Sequence, residues 1–467
     1  MSTFKVTVGS KLTVEHPTQQ VFDYCREKLV LPNPDFHKKE RMGKWTGNTP
    51  REIVLFERMG DSVLLPFGCL NDLWQTFGMG YAFERDMSPL RHVAYQSHIN
   101  LYPYQEKAVN EALMMRNGVI VMPCGAGKTQ TGLELVARIG GRALWLTHTQ
   151  DLLNQSMNRA RSVFDIPFGT YGKITAGKVD VGTGITFATV QTMAKVDLSD
   201  LRYAFDVIVV DECHKAIGSP TKVMQFYKVL SSLSCRHKYG LTATPKRADG
   251  LEKSMFALIG DICAKVDREA VKDTTCPVKV KSVQTAYFPN MDVVLAGDGT
   301  INYAALVDDM IHDDARFEAV MDVINDIPHA CPTLVLANRV EYLQDMCKNY
   351  EKTGLCLSGT GHSKKAKEER KEALQKLNNG EVDCVFATYQ LAKEGLDVPN
   401  LRYVVFATPE KDETTVVQSV GRVGRKAQGK EYGTVIDFVD SLAMYKGWYK
   451  MRCGYYKKID AEVEQCF

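Results

Sequence analysis

Several absences narrow the field before any motif is read. The 13 cysteines include no C-x-x-C pair. That spacing is the usual mark of a zinc ribbon, so scattered thiols argue for a reducing setting and against a zinc site. No apolar run approaches the roughly 20 residues a membrane span needs, and no membrane partner is expected. The N-terminus lacks a basic-then-apolar signal pattern, so a cytoplasmic location is expected. There is no internal repeat and no low-complexity tract. Charge of one sign is also missing: the net charge is +2, so any surface for a polyanion must be a local patch. What remains is a globular composition, 45% hydrophobic and 24% charged, in a chain of 467 residues. That is too long for one core and implies two or three domains.

The most informative stretch is Gly118-Val-Ile-Val-Met-Pro-Cys-Gly-Ala-Gly-Lys-Thr129. Val119 to Met122 reads as a short buried strand, and Leu133, Leu135 and Val136 open a helical pattern. Strand, glycine loop and helix make a phosphate-binding loop from Pro123, Cys124, Gly125, Ala126, Gly127, Lys128 and Thr129. Gly125 and Gly127 let backbone N–H groups turn inward around phosphate oxygens, Lys128 adds a point charge, and the Thr129 hydroxyl is placed for Mg²⁺. Met122 stands where the usual form has its first glycine. An ordinary strand-to-helix turn is the competing reading of the loop taken alone.

Residues 1–95 carry no such loop. Lys5-Val-Thr-Val and Lys11-Leu-Thr-Val-Glu alternate as strands, Gln19 to Val30 reads as a helix, and Arg51 to Glu57 and Ser62 to Gly68 read as strands. Between them, His37 to Trp45 gathers four cations, Lys38, Lys39, Arg41 and Lys44, around a glycine and an aromatic. Cations can take phosphates while a ring stacks on a base, so Lys38, Lys39, Lys44 and Trp45 form a candidate nucleic-acid surface. A solvated turn with Trp45 in a small core fits the same residues.

From residue 96 the pattern alternates apolar runs with amphipathic stretches: Ala143–Thr147, Ile185–Val190, Val207–Val210 and Tyr239–Thr244. That is a doubly wound parallel sheet with its ligand site at the carboxyl ends of the strands. Gln105, ahead of a helix at Glu106 to Met115, has a two-ended amide able to read adenine, or simply starts the helix. The run Phe205-Asp-Val-Ile-Val-Val-Asp-Glu-Cys-His214 delivers two carboxylates to the end of a buried strand. Such a pair has little structural use; Asp211 suits a water-linked Mg²⁺ and Glu212 the activation of an attacking water. Thr242-Ala-Thr-Pro245 closes another strand. Residues 266–310 read as a linker. Residues 311–467 repeat the α/β pattern at Thr333–Ala337, Leu355–Leu357, Cys384–Thr388, Tyr403–Ala407 and Gly433–Asp437, without a phosphate loop. They carry Gly395-Leu-Asp-Val-Pro399 and Gln418-Ser-Val-Gly-Arg-Val-Gly-Arg425. On a helix, Gln418, Arg422 and Arg425 share one face, which suits arginine-finger chemistry on a γ-phosphate. The tail from Tyr445 to Lys458 has five cations, five aromatics and no acid; a nucleic-acid contact and a packed helix both explain it.

Gly-x-Gly-Lys-Thr, Asp-Glu-Cys-His, Thr-Ala-Thr-Pro and Gln-x-x-Gly-Arg-x-x-Arg, in that order over two α/β units, resemble a superfamily 2 DExH helicase. Pro-Cys-Gly-Ala-Gly-Lys-Thr129 and Gly240-Leu-Thr-Ala-Thr-Pro-Lys-Arg-Ala-Asp-Gly250 are similar to the XPB-like and phage UvsW-like branch. Gly43-Lys-Trp-Thr-Gly47 with Leu64-Leu-Pro-Phe-Gly68 resembles the small DNA-binding domain of the UvsW kind. Two departures stand out: Thr46-Gly replaces an acid and glycine, and Arg247-Ala-Asp249 lacks the middle acid of Arg-Glu-Asp. The resemblance covers residues 100 to about 440. It implies two tandem RecA-like domains after a small α+β DNA-binding domain, bounded as 1–95, 96–265, a linker at 266–310, and 311–467. It implies ATP and Mg²⁺ as cofactors. Gln105 would contact adenine, Asp397 the ribose, Thr129 and Asp211 the metal, Glu212 the water, and Arg422 and Arg425 the γ-phosphate. His214 would link the ATP site to Gln418. Thr147, Gln191, Thr192, Asn338, Arg339 and Gly395 would face a nucleic-acid strand.

The expected function is an ATP-dependent DNA helicase or translocase, moving 3′ to 5′, on branched or duplex DNA in phage-like repair or recombination. An RNA or RNA–DNA hybrid helicase and a non-unwinding duplex remodeller remain alternatives. A monomer is expected.

Overall fold

The computed structural model describes residues 4–78, 81–167, 169–175, 177–217, 224–246, 249–297, 299–357, 364–393 and 398–464. The chain divides into two compact units: residues 1–123 with 127–267, and residues 268–467 with 124–126.

The first unit is built on an eight-stranded sheet in the order Lys178–Asp180, Tyr171–Thr175, Ile185–Thr189, Ala143–Thr147, Val207–Asp211, His237–Thr242, Asn117–Val121, Ile262–Lys265. Every neighbouring pair is parallel except Lys178–Asp180 on Tyr171–Thr175. The central strands are five-residue runs buried throughout, as strands covered on both faces must be. Trp145 and Phe187 fill the core with tilted rings 6.4 Å apart. The strand entering the phosphate loop and the strand ending in Asp211 both flank His237–Thr242, so loop and acid pair emerge at the same edge.

The N-terminal part of this unit is a five-stranded sheet in the order Glu57–Met59, Ser62–Pro66, Lys11–Glu15, Phe4–Val8, Tyr81–Arg85. Its pairings are antiparallel except Phe4–Val8 with Tyr81–Arg85. Helices Gln19–Lys28 and Leu70–Phe77 pack with it around Val6, Leu12, Val14, Val21 and Leu73. The second helix is absent from the sequence reading, because Phe67–Cys69 turns into it directly from a strand with no polar break. The basic stretch read as a turn is in part a helix, Pro34–Arg41, which puts Lys38 and Lys39 in its last turn. Asn33 caps it by accepting from the Asp35 N–H at 3.1 Å.

The boundary expected at residue 95 does not separate a free-standing piece. Leu251 and Ala257 of the motor sheet's side belong to the same apolar cluster as the N-terminal core. A Cβ on Gly68 would lie 2.2 Å from the Phe256 carbonyl oxygen, so only glycine allows that approach. Asn117, fully buried at the root of the phosphate-loop strand, donates to the carbonyls of Gly68 at 3.3 Å and Ile259 at 2.9 Å, and its own carbonyl accepts from Asn71. The Lys238 ammonium sits 4.4 Å from the centre of the Phe67 ring and donates to the Leu230 carbonyl, which satisfies a cation that burial alone would disfavour.

The second unit is a seven-stranded, all-parallel sheet in the order Gly354–Cys356, Cys384–Thr388, Thr333–Ala337, Tyr403–Phe406, Gly433–Val439, Val278–Gln284, Glu462–Glu464. The expected linker at 266–310 is therefore corrected. Its Val278–Gln284 pairs over seven residues with Gly433–Val439 and is an interior strand. Nothing within 266–310 marks it as an interior strand, because its pairing partners lie far along the chain.

The tail resolves in favour of packing. Helix Ala443–Lys458 buries Tyr445, Tyr449, Arg452 and Tyr456, spaced four, three and four apart on one face. Arg452 forks onto Asp437 with Nε–Oδ2 and Nη2–Oδ1 distances of 2.8 and 2.7 Å, and Tyr456 donates to the same carboxylate at 2.7 Å. A second buried fork joins Arg316 to Asp440, with Tyr342 and the Ala407 carbonyl completing the guanidinium's bonds. Removing one side of such a pair strands the other charge in the core. Arg452→Ala is expected to cost about 3–5 kcal/mol in equilibrium urea unfolding. A loss below about 1 kcal/mol would show that the fork contributes little and that the tail is held otherwise.

Candidate active site

The phosphate loop follows strand Asn117–Val121 and opens helix Lys128–Ile139. Gly125 has φ +82° and Gly127 φ +76°, left-handed values that a side chain would strain. These turns let consecutive N–H groups face one concavity, which the start of the helix extends. A Cβ on Gly127 would lie 2.3 Å from Gln105 Nε2, so the Gln105 amide rests directly on the loop. Its Oε1 accepts from the Tyr102 N–H at 2.9 Å, a cap at the start of helix Pro103–Met114. Gln105 therefore starts its helix, as one of the two readings expects, and its amide also lies against the phosphate loop.

Strand Val207–Asp211 ends in the acid pair. Asp211 is buried and accepts from the Glu212 N–H at 3.0 Å. Glu212 has φ +50° and ψ +50°, a left-handed conformation rare for a residue with a side chain. That turn aims its carboxylate away from the strand and toward Lys128, whose Nζ lies 4.0 Å from Oε1. His214 Nδ1 lies 3.4 Å from Glu212 Oε2 and 3.2 Å from Thr242 Oγ1. Thr242 Oγ1 in turn accepts from the Thr244 N–H at 3.1 Å. A continuous polar chain therefore runs from Glu212 through His214 into Thr242-Ala-Thr-Pro245.

The electrostatics divide the two acids. Burial, and then the adjacent charge of Glu212, push the Asp211 carboxyl above the usual carboxylate range. Burial presses Glu212 the same way, but Lys128 and His214 outweigh it and hold this carboxyl below its usual range. Glu212 is the member held ionised; Lys128 draws Asp211 down as well, but burial and the charge of Glu212 outweigh it. A divalent cation at Asp211 would offset that burial and repulsion, and a buried carboxylate with the half-buried Thr129 hydroxyl is a donor set that fits Mg²⁺.

The expected strand-contacting residues fare unevenly. Thr147 is fully buried, and its hydroxyl donates to the Thr149 carbonyl at 2.9 Å, which shapes the loop and leaves it away from the surface. Gln191 Nε2 donates to the His148 carbonyl at 2.8 Å, and Thr192 Oγ1 meets Thr189 Oγ1 at 2.9 Å. In the second unit, Asn338 bonds Thr408 and Pro409, while Arg339 pairs with Asp308 at 3.1 Å. Gly395 and Asp397 lie outside the described residues. Gln418 and Arg422 sit on helix Glu413–Val423, but Arg425 lies beyond its end, which corrects the shared helical face. Arg425 instead bridges Thr275 in antiparallel fashion, and its carbonyl accepts from Lys430 Nζ at 2.9 Å. Gly424 stops the helix, so a spacing of seven from Gln418 no longer returns to the same side. Pro123 and Cys124 are half-buried and Ala126 is buried.

Sequence reasoning missed Lys430 and His148. Lys430 is buried beside Arg402 and Arg425, and burial followed by those cations pulls it down to about 8. His148 is pulled down to about 4 by burial and by Lys215, and so faces Glu212 as a neutral imidazole. Neither lies in a motif, whereas Thr242 opens the Thr-Ala-Thr-Pro motif already named.

Two family models match the chain in tandem: "Type III restriction enzyme, res subunit" over residues 98–247 and "Helicase conserved C-terminal domain" over 315–427. A protein of Sulfolobus islandicus filamentous virus, named as a helicase, is 26% identical over 356 residues, 71% of this chain and 62% of that protein. The chain thus spans under two thirds of the length of that relative. The DNA 3′-5′ translocase XPB2 of Sulfurisphaera tokodaii is 25% identical over 366 residues, 70% of this chain and 79% of that protein. Among solved structures, the ATP-dependent Type ISP restriction-modification enzyme LlaBIII bound to DNA has a TM-score of 0.57 at 15% identity, over 84% of this chain and 32% of that one.

The polar chain yields a pH test. His214 lowers the Glu212 pKa, so His214→Ala should raise it. A base that works ionised is then lost at a higher pH as the solution is acidified. The acidic limb of the ATPase pH profile should move to higher pH in His214→Ala, and Glu212→Gln should lose about 10²–10⁴-fold in turnover. An unmoved limb in the first variant, or near-normal turnover in the second, contradicts the assignment of Glu212 as base.

Proposed function

The chain belongs to the superfamily 2 helicases, and from that premise we propose that it is an ATP-dependent DNA helicase or translocase, moving 3′ to 5′ on branched or duplex DNA. The observation that carries the reading is the Lys128–Glu212–His214–Thr242 arrangement beside a two-glycine phosphate loop. Non-catalytic nucleotide binding needs the loop. It does not need a strained glutamate kept ionised beside the loop's lysine.

In this reading the phosphate-loop N–H groups and Lys128 hold the nucleotide's phosphates, while Gln105 against Gly127 reads the base. Glu212 orients the attacking water and takes its proton. Asp211 and Thr129 hold Mg²⁺, which supplies positive charge to the phosphate oxygens when bound. Arg422 and Arg425 stabilise charge on the transferring phosphoryl group when the two units close on the nucleotide. Lys430 and Thr275 fix the backbone of Arg425, so the side chain starts from a defined root. Once the γ-phosphate has left, the Glu212–His214–Thr242 chain carries that change to the Thr-Ala-Thr-Pro turn, on the side of the sheet where nucleic acid is gripped. DNA is preferred as substrate because the archaeal relative is named a DNA translocase. An RNA substrate is the second reading, favoured by a mimivirus relative named as an RNA helicase and 23% identical. The basic patch around Lys38, Lys39 and Lys44 is the duplex contact in this account.

Strand displacement on forked DNA, forked RNA and RNA–DNA hybrids separates these readings. Preferential displacement of the DNA strand supports the proposal, and preferential displacement of RNA replaces it with the second. Arg425→Ala should lower ATP turnover about 10³-fold at saturation with a much smaller change in nucleotide affinity, because a finger contact strengthens in the transition state. Collapse of nucleotide affinity with turnover intact would make Arg425 a ground-state binder.

A further inference from the structure

The segment from Met42 to Arg51 links helix Pro34–Arg41 to strand Glu52–Val54. Gly43 and Gly47, at φ +60° and +50°, bracket Lys44-Trp45-Thr46 and push it outward. Trp45 is 86% exposed, far more than packing in a small core allows. A Cβ on Gly47 would fall 2.6–2.9 Å from three atoms of the indole six-membered ring, so the ring rests on the bare Gly47 α-carbon. One part of the ring is thus backed by backbone, and the opposite face is open.

The loop is braced. Lys39 Nζ donates to Thr49 Oγ1 at 2.7 Å, Asn33 Nδ2 to the Pro50 carbonyl at 2.8 Å, and the Lys44 N–H to the Lys39 carbonyl at 2.9 Å. Beside it lies a pocket of about 500 Å³ lined by Asn33, Asp35, Lys38, Lys39, Lys44 and Thr49 among others, three cations against one acid. Such a pocket suits a backbone phosphate.

A ring with one open face has a specific consequence. Inside a duplex, each base is covered on both faces by its neighbours. A free base face exists only where the stack ends: at a fork, a duplex terminus or an unpaired base. Stacking there is sequence-tolerant, since every base offers a π-face. We propose that Trp45 stacks on the terminal base pair at a single-strand–duplex junction, while Lys38, Lys39 and Lys44 hold the adjoining backbone. The N-terminal domain then adds a reader of junctions, through Trp45, to the duplex contact of its lysines. Through Gly68, Asn117 and the shared core it is continuous with the phosphate-loop strand, so the reader travels with the nucleotide-binding unit. The inference rests on the DNA reading of this patch.

The test compares the full-length wild type with Trp45→Ala, Trp45→Phe and the triple variant Lys38→Glu, Lys39→Glu, Lys44→Glu. The probes are a forked DNA and a relaxed, covalently closed circular duplex, which has no end and no unpaired base. Trp45→Ala should bind the fork about tenfold more weakly and the closed duplex within about twofold, with Trp45→Phe near wild type. The lysine variant should bind both more weakly and with a flatter salt dependence. A 2-aminopurine in the last base pair of the fork should report stacking by wild type and not by Trp45→Ala; the same probe placed well inside the duplex should report neither. Equal fork affinity in wild type and Trp45→Ala overturns the inference while leaving the DNA reading standing. A wild-type chain that binds neither DNA removes the reading beneath it.

Discussion

A carboxylate taken out of water without a partner is among the most costly groups a protein can bury, and this chain places two in succession at the end of one strand. The rest of the first unit is arranged to make that tolerable. Lys128 must come from a helix start close to the strand end, so the phosphate-loop strand and the acid strand flank His237–Thr242 in a parallel sheet. Glu212 must leave the strand direction to meet the lysine, so it accepts a left-handed backbone. His214 must reach back to it, so three residues of tight turn follow at once. Asp211 is left with burial and the charge of Glu212 outweighing the pull of Lys128, and is a carboxylate that a divalent cation would suit.

The same sheet explains why the N-terminal domain cannot be treated as an appendage. Asn117 starts the strand that ends in the phosphate loop, and its amide is spent on Gly68 and Ile259. The N-terminal core and the motor core share residues. Lys11 and Tyr227 also converge on Glu57, whose carboxyl they hold down against the opposing effect of its burial. Motion of the nucleotide-binding unit is therefore motion of the basic loop as well. A truncation at residue 95 would expose Leu251 and Ala257 and leave Asn117 without one acceptor, so point substitutions are the cleaner probe of this domain.

Much of this was legible in the residues, and for one reason. Buried parallel strands are short, continuous apolar runs, and the motifs sit at their ends where the runs stop. Val207–Asp211 and Thr333–Ala337 could hardly be read as anything else. Val278–Gln284 was misplaced because nothing within 266–310 marks it as an interior strand; its burial comes from Gly433–Val439, over 140 residues away in the sequence. Arg425 was put on a helical face because spacing alone cannot show that Gly424 ends the helix. His148 and Lys430 carry no motif. Their importance arises from neighbours that only the fold assembles, Glu212 in one case and the Arg425 carbonyl in the other. The tail was ambiguous because tyrosine and arginine suit a core with a buried aspartate as well as they suit a nucleic acid.

The central claim is that the acid pair beside the phosphate loop hydrolyses ATP under the control of a bound nucleic acid. Its most direct test is the steady-state ATPase rate of the full chain with Mg²⁺, measured alone and then with saturating forked DNA. The account predicts a low basal rate raised at least about tenfold by the DNA, with the rise abolished in Glu212→Gln. A rate unaffected by any nucleic acid, or a DNA-stimulated rate that survives Glu212→Gln, would contradict it.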